Sequence, residues 1–409
     1  MTVWPLKFDE VFKISTISMR WNGSHPFITI RNSLWLMKIC FFRIMALICF
    51  VFLVNSIASY DVKARKYTEA IKNGIMAIVA VTVTFKHGIL VHRQESIKEL
   101  IHFIDEDYKS AEDLSSDEKY IVLKHAKKGV IVCRLWLIIV GLTCFMFPVK
   151  AFILMSQRCL KDECQLIAMF DLTYPNGIDE YKDVFFIYCA MFLLCFSFDA
   201  YSASVYIGFD PLVPIFILHI CGQLELISIN LSRVLRETSN VQEMKENLKR
   251  ISIRLIEIYR YVEKVQNIFV ILYEFNLKTT TFLIPFSAFQ TVESLRQKEI
   301  PLEFIFFFIS TLLHFYSPCY YSDLLMKKSE SVHQAIYACG WELQPHIGIR
   351  KSILLMMTRT STPLVVKTIF YPICLNTFAE VLYSLFHETV DIYHTAVHYD
   401  SQTSIRVRS

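Results

Sequence analysis

The chain has 409 residues, 54% hydrophobic and 20% charged, with a formal net charge of +4 and a mean hydropathy of +0.39. Soluble domains average about 45–50% apolar, so a soluble enzyme of this size is disfavoured. A disordered chain is disfavoured by the apolar mass, and a disulfide scaffold by 12 cysteines that are sparse and mostly set in apolar runs. The small net charge says little about partners.

Residues 1–33 mix Trp4, Pro5, Asp9, Glu10 and Lys13, with no compact apolar core and small-residue cleavage site. They are expected to form a cytoplasmic N-terminal segment, followed by a first span able to act as an uncleaved anchor. A bilayer-crossing helix needs roughly 20 mainly apolar residues. Within 34–209, four stretches qualify or nearly so: Leu34 to Ser56, Gly74 to Val91, Ile131 to Met155 and Val184 to Ile207. Lys86 and His87 lie near one end of the second, where they can snorkel. The intervening 92–130 reads as an inner helical pair, with Ser115 and Glu118 as a capping box. Asp199 in span four has no obvious partner, which points to a watery crevice or the inner interface. Cys159 and Cys164 share an outer loop where a local disulfide is chemically allowed.

Residues 210–264 read as a cytoplasmic helical pair, an anchor layer. Its first half, Leu212 to Leu235, is apolar enough to span but carries His219, Gln223, Glu225, Asn230 and Arg233. It is therefore expected to be a buried helix outside the bilayer. Asn240 and Glu243 suggest a second capping box. After it, Val241, Met244, Leu248, Ile251, Leu255, Ile258, Val262 and Val265 repeat at spacings of three and four, a bundle-type seam. Packing on the chain's own preceding helix is one way to bury that seam; meeting other subunits is another, and both can hold together.

Spans five and six, Ile268 to Phe289 and Leu302 to Leu324, occupy 265–324, with Glu274 and Lys278 as i, i+4 partners. Residues 325–364 form a further cytoplasmic helical set broken near Trp341 and Pro345. Span seven runs from Ile369 to about Ile392 within 365–393, and 394–409 is an outer tail. In span seven, Thr377, Glu380, Ser384, His387 and Asp391 fall on one helical face. A polar stripe on a spanning helix must face water or other protein, and acidic groups beside a pore favour cations.

The fold class is thus all-α: a polytopic membrane protein with seven transmembrane helices and long intracellular helical extensions. Segments assigned to the N-terminal side hold 24 Lys and Arg against 11 on the other side, so the N-terminus is expected in the cytoplasm and the C-terminus outside. That is the reverse of a G-protein-coupled receptor. No Asp-Arg-Tyr follows span three, and no Asn-Pro-x-x-Tyr lies in span seven. The sequons at Asn22 and Asn230 fall inside and are expected to go unused. No nucleophile set or His/Glu cluster sits in the spans, so an enzyme is not expected. No phosphate-binding glycine loop occurs, and no cofactor or nucleic acid is expected. His394 and His398 are spaced i, i+4 but lack a third ligand arrangement, so no metal is expected.

The C-terminal quarter contains Ala335-Ile336-Tyr337, Trp341, Arg350-Lys351, Ile353-Leu354-Leu355-Met356, Thr358-Arg359, Pro363-Leu364 and Leu375-Asn376-Thr377-Phe378. With Asp210-Pro211-Leu212, His219 and Gln223-Leu224, this order resembles the insect odorant receptor family over the whole chain. The Thr-Tyr and Gln-Phe signature of the gustatory branch is absent from the last span. The family commonly ends the last helix with Ser, Tyr, Phe, Thr and Leu, whereas this chain has Leu385 to Asp391 and a longer tail. The resemblance implies a tuning subunit of a heterotetrameric, odorant-gated, non-selective cation channel, assembled with a co-receptor subunit in the plasma membrane of a sensory neuron dendrite. A gustatory-type or G-protein-coupled chemoreceptor is the alternative.

The resemblance also implies a pocket for a small volatile hydrophobic ligand in the outer half of spans two, three, four and six. Geometry then nominates Met76, Val79, Thr143, Phe147, Phe152, Phe186, Tyr188, Met191, Phe306, Phe307 and Thr311. The scarcity of charge there suggests a neutral, apolar ligand. The pore would be lined by Thr377, Glu380, Ser384, His387, Asp391 and Tyr393, and subunits would be anchored through Met244, Leu248, Ile251, Leu255 and Trp341.

Overall fold

The computed structural model describes residues 4–28, 31–161, 165–238, 240–296 and 301–387. Among them the chain is all α. In order come α1 (Phe8–Val11), α2 (Lys13–Asn22), α3 (Ser33–Asn55), α4 (Tyr67–His92), α5 (Gln94–Ser110), α6 (Ser116–Cys159) and α7 (Asn176–Asp179). They are followed by α8 (Phe185–Phe209), α9 (Leu212–Glu237), α10 (Val241–Arg296), α11 (Leu302–Tyr337) and α12 (Ile347–Thr360). A last helix, α13, covers 375–387.

Six helical stretches are long and apolar enough to cross a bilayer: Ser33–Asp61, Tyr67–His92, Ser116–Cys159, Phe185–Glu237, Val241–Arg296 and Leu302–Leu343. Expected spans one to six lie within them, except that span four begins at Phe185, with Val184 as its N-cap. At 1.5 Å per residue, the 44 residues of α6 extend ~66 Å and the 56 of α10 ~84 Å. Both outrun a hydrocarbon core of about 30 Å, and the overhang builds a second helical layer. α6 starts on the expected capping box: the Ser115 N–H donates to the Glu118 carboxylate at 3.0 Å, and Ser115 Oγ accepts the Glu118 N–H at 3.5 Å. α10 starts on Asn240, whose Oδ1 accepts the Gln242 N–H at 2.9 Å, one residue short of Glu243.

The second layer is built around α9, which packs on α6, α10 and α11 and is buried at nearly every position from Leu212 to Leu224. A helix that is apolar all round belongs in a core; here protein surrounds it. Charged pairs tie it to its neighbours. Asp107 of α5 accepts from His219 at 2.7 Å and from Arg254 of α10 at 2.5 Å. Glu225 accepts from Lys124 (3.1 Å) and His125 (3.2 Å) of α6 and from Lys328 (2.9 Å) of α11.

The α10 seam closes inside this same layer. Met244, Leu248, Ile251 and Leu255 are buried in the chain's own core, with Trp341 packed partly buried against it. Those four side chains are covered by the chain's own helices, one of the two ways the spacing allows the seam to be buried.

The N-terminal segment folds into the bundle. α2 lies on α8, where a Cβ on Gly208 would come within 3.0 Å of Met19 Cγ and 3.4 Å of the Met19 backbone nitrogen. Ser15 Oγ donates to the Gly208 carbonyl at 2.6 Å across this approach. Glycine at 208 lets α2 sit this close without displacing Met19.

Span seven is helical only from 375, later than Ile369. Pro372 lacks an N–H and cannot donate within a helix, and 361–374 is non-helical, with an isolated bridge between Lys367 and Pro372. Asp391, Tyr393, His394 and His398 lie outside the described residues. Cys159 is disulfide-bonded; Cys164, the partner the sequence suggests, also lies outside them.

Candidate ligand cavity and polar helix face

Between α4, α6, α8, α10 and α11 lies a cavity of about 60 Å³. Its walls are Met76, Val79, Thr82, Trp136, Val140, Thr143, Cys144, Phe147, Phe198, Asp199, Ser202, Tyr206, Thr279, Leu283, Phe307, Ser310, Thr311 and His314. Of the nominated residues, Met76, Val79, Thr143, Phe147, Phe307 and Thr311 meet here. Val79 sits ~18 Å along α4 from Tyr67 at 1.5 Å per residue, so the cavity lies well down the helix.

Tyr188 and Met191 instead border a wider, polar space of about 630 Å³, shared with Asp61, Lys66, Glu69, Lys72, Asp171 and Lys182. The Tyr188 hydroxyl donates to the Ile167 carbonyl at 2.9 Å. Phe147 of the inner cavity and Phe170 of the outer space meet edge to face at 5.4 Å, forming an aromatic partition. Phe152 and Phe186 are 55% and 83% exposed on the outside of the bundle. Phe306 is outside the cavity wall; its carbonyl accepts from Thr143 Oγ1 at 3.5 Å.

The pattern missed Trp136, Phe198, Tyr206 and His314. Phe198, Asp199, Ser202 and Tyr206 share one face of α8 by helical spacing. That spacing was visible in the sequence; which face looks inward was not. Asp199 is buried, at 7% exposure, and receives a hydrogen bond from the Cys144 thiol.

Lys86 corrects an expectation. It does not snorkel but is fully buried, donating to Asp210 Oδ1 at 2.5 Å and to His314 Nε2 at 2.6 Å. Its ammonium also lies 4.2 Å from the centre of the Tyr206 ring. His314 and Trp136 line both the main cavity and a small one of about 30 Å³ that opens on Asp210. The ion pair thus adjoins the floor of the candidate site and holds the α8–α9 junction to α4 and α11. Glu274 and Lys278 pair at 3.2 Å, as their spacing suggests.

On α13, Phe378 packs on Phe315 and Tyr316 of α11, with ring centres 5.2 Å and 5.4 Å away. Leu385 is buried on the same side, while Glu380, Ser384 and His387 are exposed and Thr377 is half-buried. The Thr377 hydroxyl donates to the Pro372 carbonyl at 3.1 Å. Of the predicted polar stripe, the described residues Glu380, Ser384 and His387 are thus exposed on the surface of this chain. Among the described residues, no group of three or more His, Cys, Asp or Glu is placed to hold a metal ion.

The family model described as 7tm Odorant receptor matches residues 66–386. Odorant receptor 67c of Drosophila melanogaster is 28% identical over 192 residues, 45% of each chain. Odorant receptor 19a of Drosophila melanogaster is 34% identical over 65 residues, 16% of each. The matched segments thus span less than half of these relatives' own length. The insect olfactory receptor OR5 from Machilis hrabei, solved in complex with eugenol, has the same fold, with a TM-score of 0.75 at 12% identity over 94% of this chain and 98% of that one.

Proposed function

The chain belongs to the 7tm odorant receptor family, and on that premise we propose that it is the tuning subunit of an odorant-gated, non-selective cation channel in the plasma membrane. It assembles with a co-receptor subunit as a heterotetramer, its N-terminus in the cytoplasm and its C-terminus outside. A small volatile ligand occupies the cavity between α4, α6, α8, α10 and α11, entering through the wider polar space past the Phe147–Phe170 partition. α13 lines the ion path with its polar face.

The observation that carries this reading is the cavity itself, where residues from five helices meet and Trp136, Phe147, Phe198, Tyr206 and Phe307 contribute aromatic surface. A small-molecule site is expected to be concave and mostly apolar, with few polar groups. An apolar cavity of about 150 Å³ takes benzene, so at about 60 Å³ this one is contracted. A ligand must push side chains aside, and Met76 and Phe307 are unbranched or terminal enough to move. Such displacement of packed helices gives ligand binding a mechanical consequence. The neighbouring Lys86–Asp210–His314 cluster offers it a route to the inner layer.

The test is co-expression with a co-receptor in oocytes, screened against an odour panel. Ligand-evoked currents that persist under G-protein blockade are expected. Responses abolished by that blockade would replace the channel reading with a G-protein-coupled one.

A further inference from the structure

Five hydroxyls of the cavity wall share one arrangement, beside the other polar groups that border it, Ser310, Trp136, Tyr206 and His314. Thr82, Thr143, Ser202, Thr279 and Thr311 all border it. Each hydroxyl donates its proton to the carbonyl one turn back on its own helix, at 2.8 Å for the first three, 3.1 Å for Thr279 and 2.9 Å for Thr311. A hydroxyl has one proton and two lone pairs, so what each has left for an occupant is an acceptor. The Asp199 carboxyl adds to them. No Lys, Arg or His among the described residues pairs with it, and its partner is a thiol, a weak donor. A buried carboxylate with a thiol as partner and no cation beside it is costly to maintain.

We propose that the cavity selects ligands carrying a hydrogen-bond donor at one end of an apolar body, a hydroxyl or a protonated amine, and that Asp199 is the group that receives it. This rests on the receptor reading above and narrows its ligand class from any hydrophobic volatile to a donor-bearing one. The apolar body lies among Met76, Phe147 and Phe307, and the donor points toward α8. A ligand without a donor leaves the carboxyl unpaired after expelling any water that served it, and loses affinity for that reason.

The test uses one carbon skeleton in four forms: alcohol, primary amine, methyl ether and hydrocarbon. Binding is read on the purified full-length protein by thermal shift, and gating by currents with the co-receptor. The alcohol or amine should bind about ten- to hundredfold more tightly than the ether and hydrocarbon. Asp199→Leu should bring the four to within about threefold of each other, chiefly by weakening the donor-bearing pair. Asp199→Asn, which keeps an acceptor but no charge, should spare the alcohol and penalise the amine, and so tells the two donors apart. Equal affinity of ether and alcohol for the native protein overturns the proposal. So does an Asp199→Leu variant that weakens all four alike, or a folded protein that binds none of them. Donor selectivity in binding without any evoked current leaves this inference standing and removes the channel reading; currents evoked equally by donor-free ligands do the reverse.

Discussion

Lys86 carries its charge to a site with no measurable exposure, where the carboxylate of Asp210, 124 positions away, balances it and His314 and the Tyr206 ring lie beside it. Removing one member of a buried pair typically costs about 3–5 kcal/mol, because the other is left charged and alone. Lys86→Met is therefore expected to lower the thermal midpoint of the detergent-solubilised protein sharply and to cut surface yield. Pairing it with Asp210→Leu should restore most of the loss, since an apolar replacement of both partners is often neutral. A Lys86→Met protein as stable as the parent would remove the pair from the account. The sequence showed Lys86 only as a cation near a helix end. Its partner lies on another helix, and nothing in the local pattern of α4 names it. The Glu274–Lys278 pair was legible for the opposite reason: both members sit one helical turn apart.

At the scale of elements, α9 shows what hydropathy can and cannot say. Its apolar run is as long as a span, and the polar residues within it decided its reading as an inner core helix. Those polar residues are the ones that bond to α5, α6, α10 and α11. Burial pushes the Glu225 carboxyl up, but Lys328, His125 and Lys124 outweigh it and hold it down at about 2. Asp107 is likewise raised by burial yet ends below the usual carboxylate range through His219 and Arg254. Burial keeps His125 below the ordinary histidine value. In each case the folded state binds protons less readily than the unfolded chain, so stability is complete above the unfolded values and falls as pH falls. Loss should begin below about 6.5 through His125 and deepen below about 4.3 through the carboxylates. The thermal midpoint followed from pH 8 to pH 2 should drop on the acid side, and Glu225→Gln should lower it at pH 7 while flattening the part of the decline below about 4.3. A midpoint level across that range would contradict the charge network.

α13 offers the second prediction at this scale. The spacing of Thr377, Glu380, Ser384 and His387 was enough to place them together, because helical geometry alone fixes a face. The start of the helix was misplaced by several residues, although Pro372 was there to mark the break. Glu380 is exposed on the face turned away from α11. Glu380→Gln should reduce calcium permeability relative to sodium, read as a shift in reversal potential under bi-ionic conditions. An unaltered reversal potential and unaltered block by divalent cations would take Glu380 out of the ion path.

On the scale of the whole molecule, exposed apolar side chains fall into two groups with different environments. Leu34, Phe41, Ile44 and Leu47 on α3, with Ile138 and Phe145 on α6 and Phe186 and Leu193 on α8, lie along spans and fit a lipid surface. Leu343, Ile347 and Leu355, at 81%, 67% and 71% exposure, lie instead by the inner layer, on or just before α12. Lipid does not cover that level if the layer projects below the bilayer, and contiguous exposed apolar surface in water marks a contact. The α10 seam residues Met244, Leu248, Ile251 and Leu255 lie in the chain's own core. We expect neighbouring subunits to meet at α12, which packs on α10 and α11 and leaves Ile347 and Leu355 exposed. Leu355→Glu places a charge on a residue that touches little within its own chain, so the monomer should keep its thermal midpoint to within about 0.5 kcal/mol of stability, as exposed substitutions usually do. The assembled species, resolved by native mass or size exclusion after co-expression with the co-receptor, should give way to single chains, because each copy would bury an unpaired carboxylate at the contact. An assembly that survives Leu355→Glu intact would move the subunit contact off α12 and leave its exposed face to some other partner.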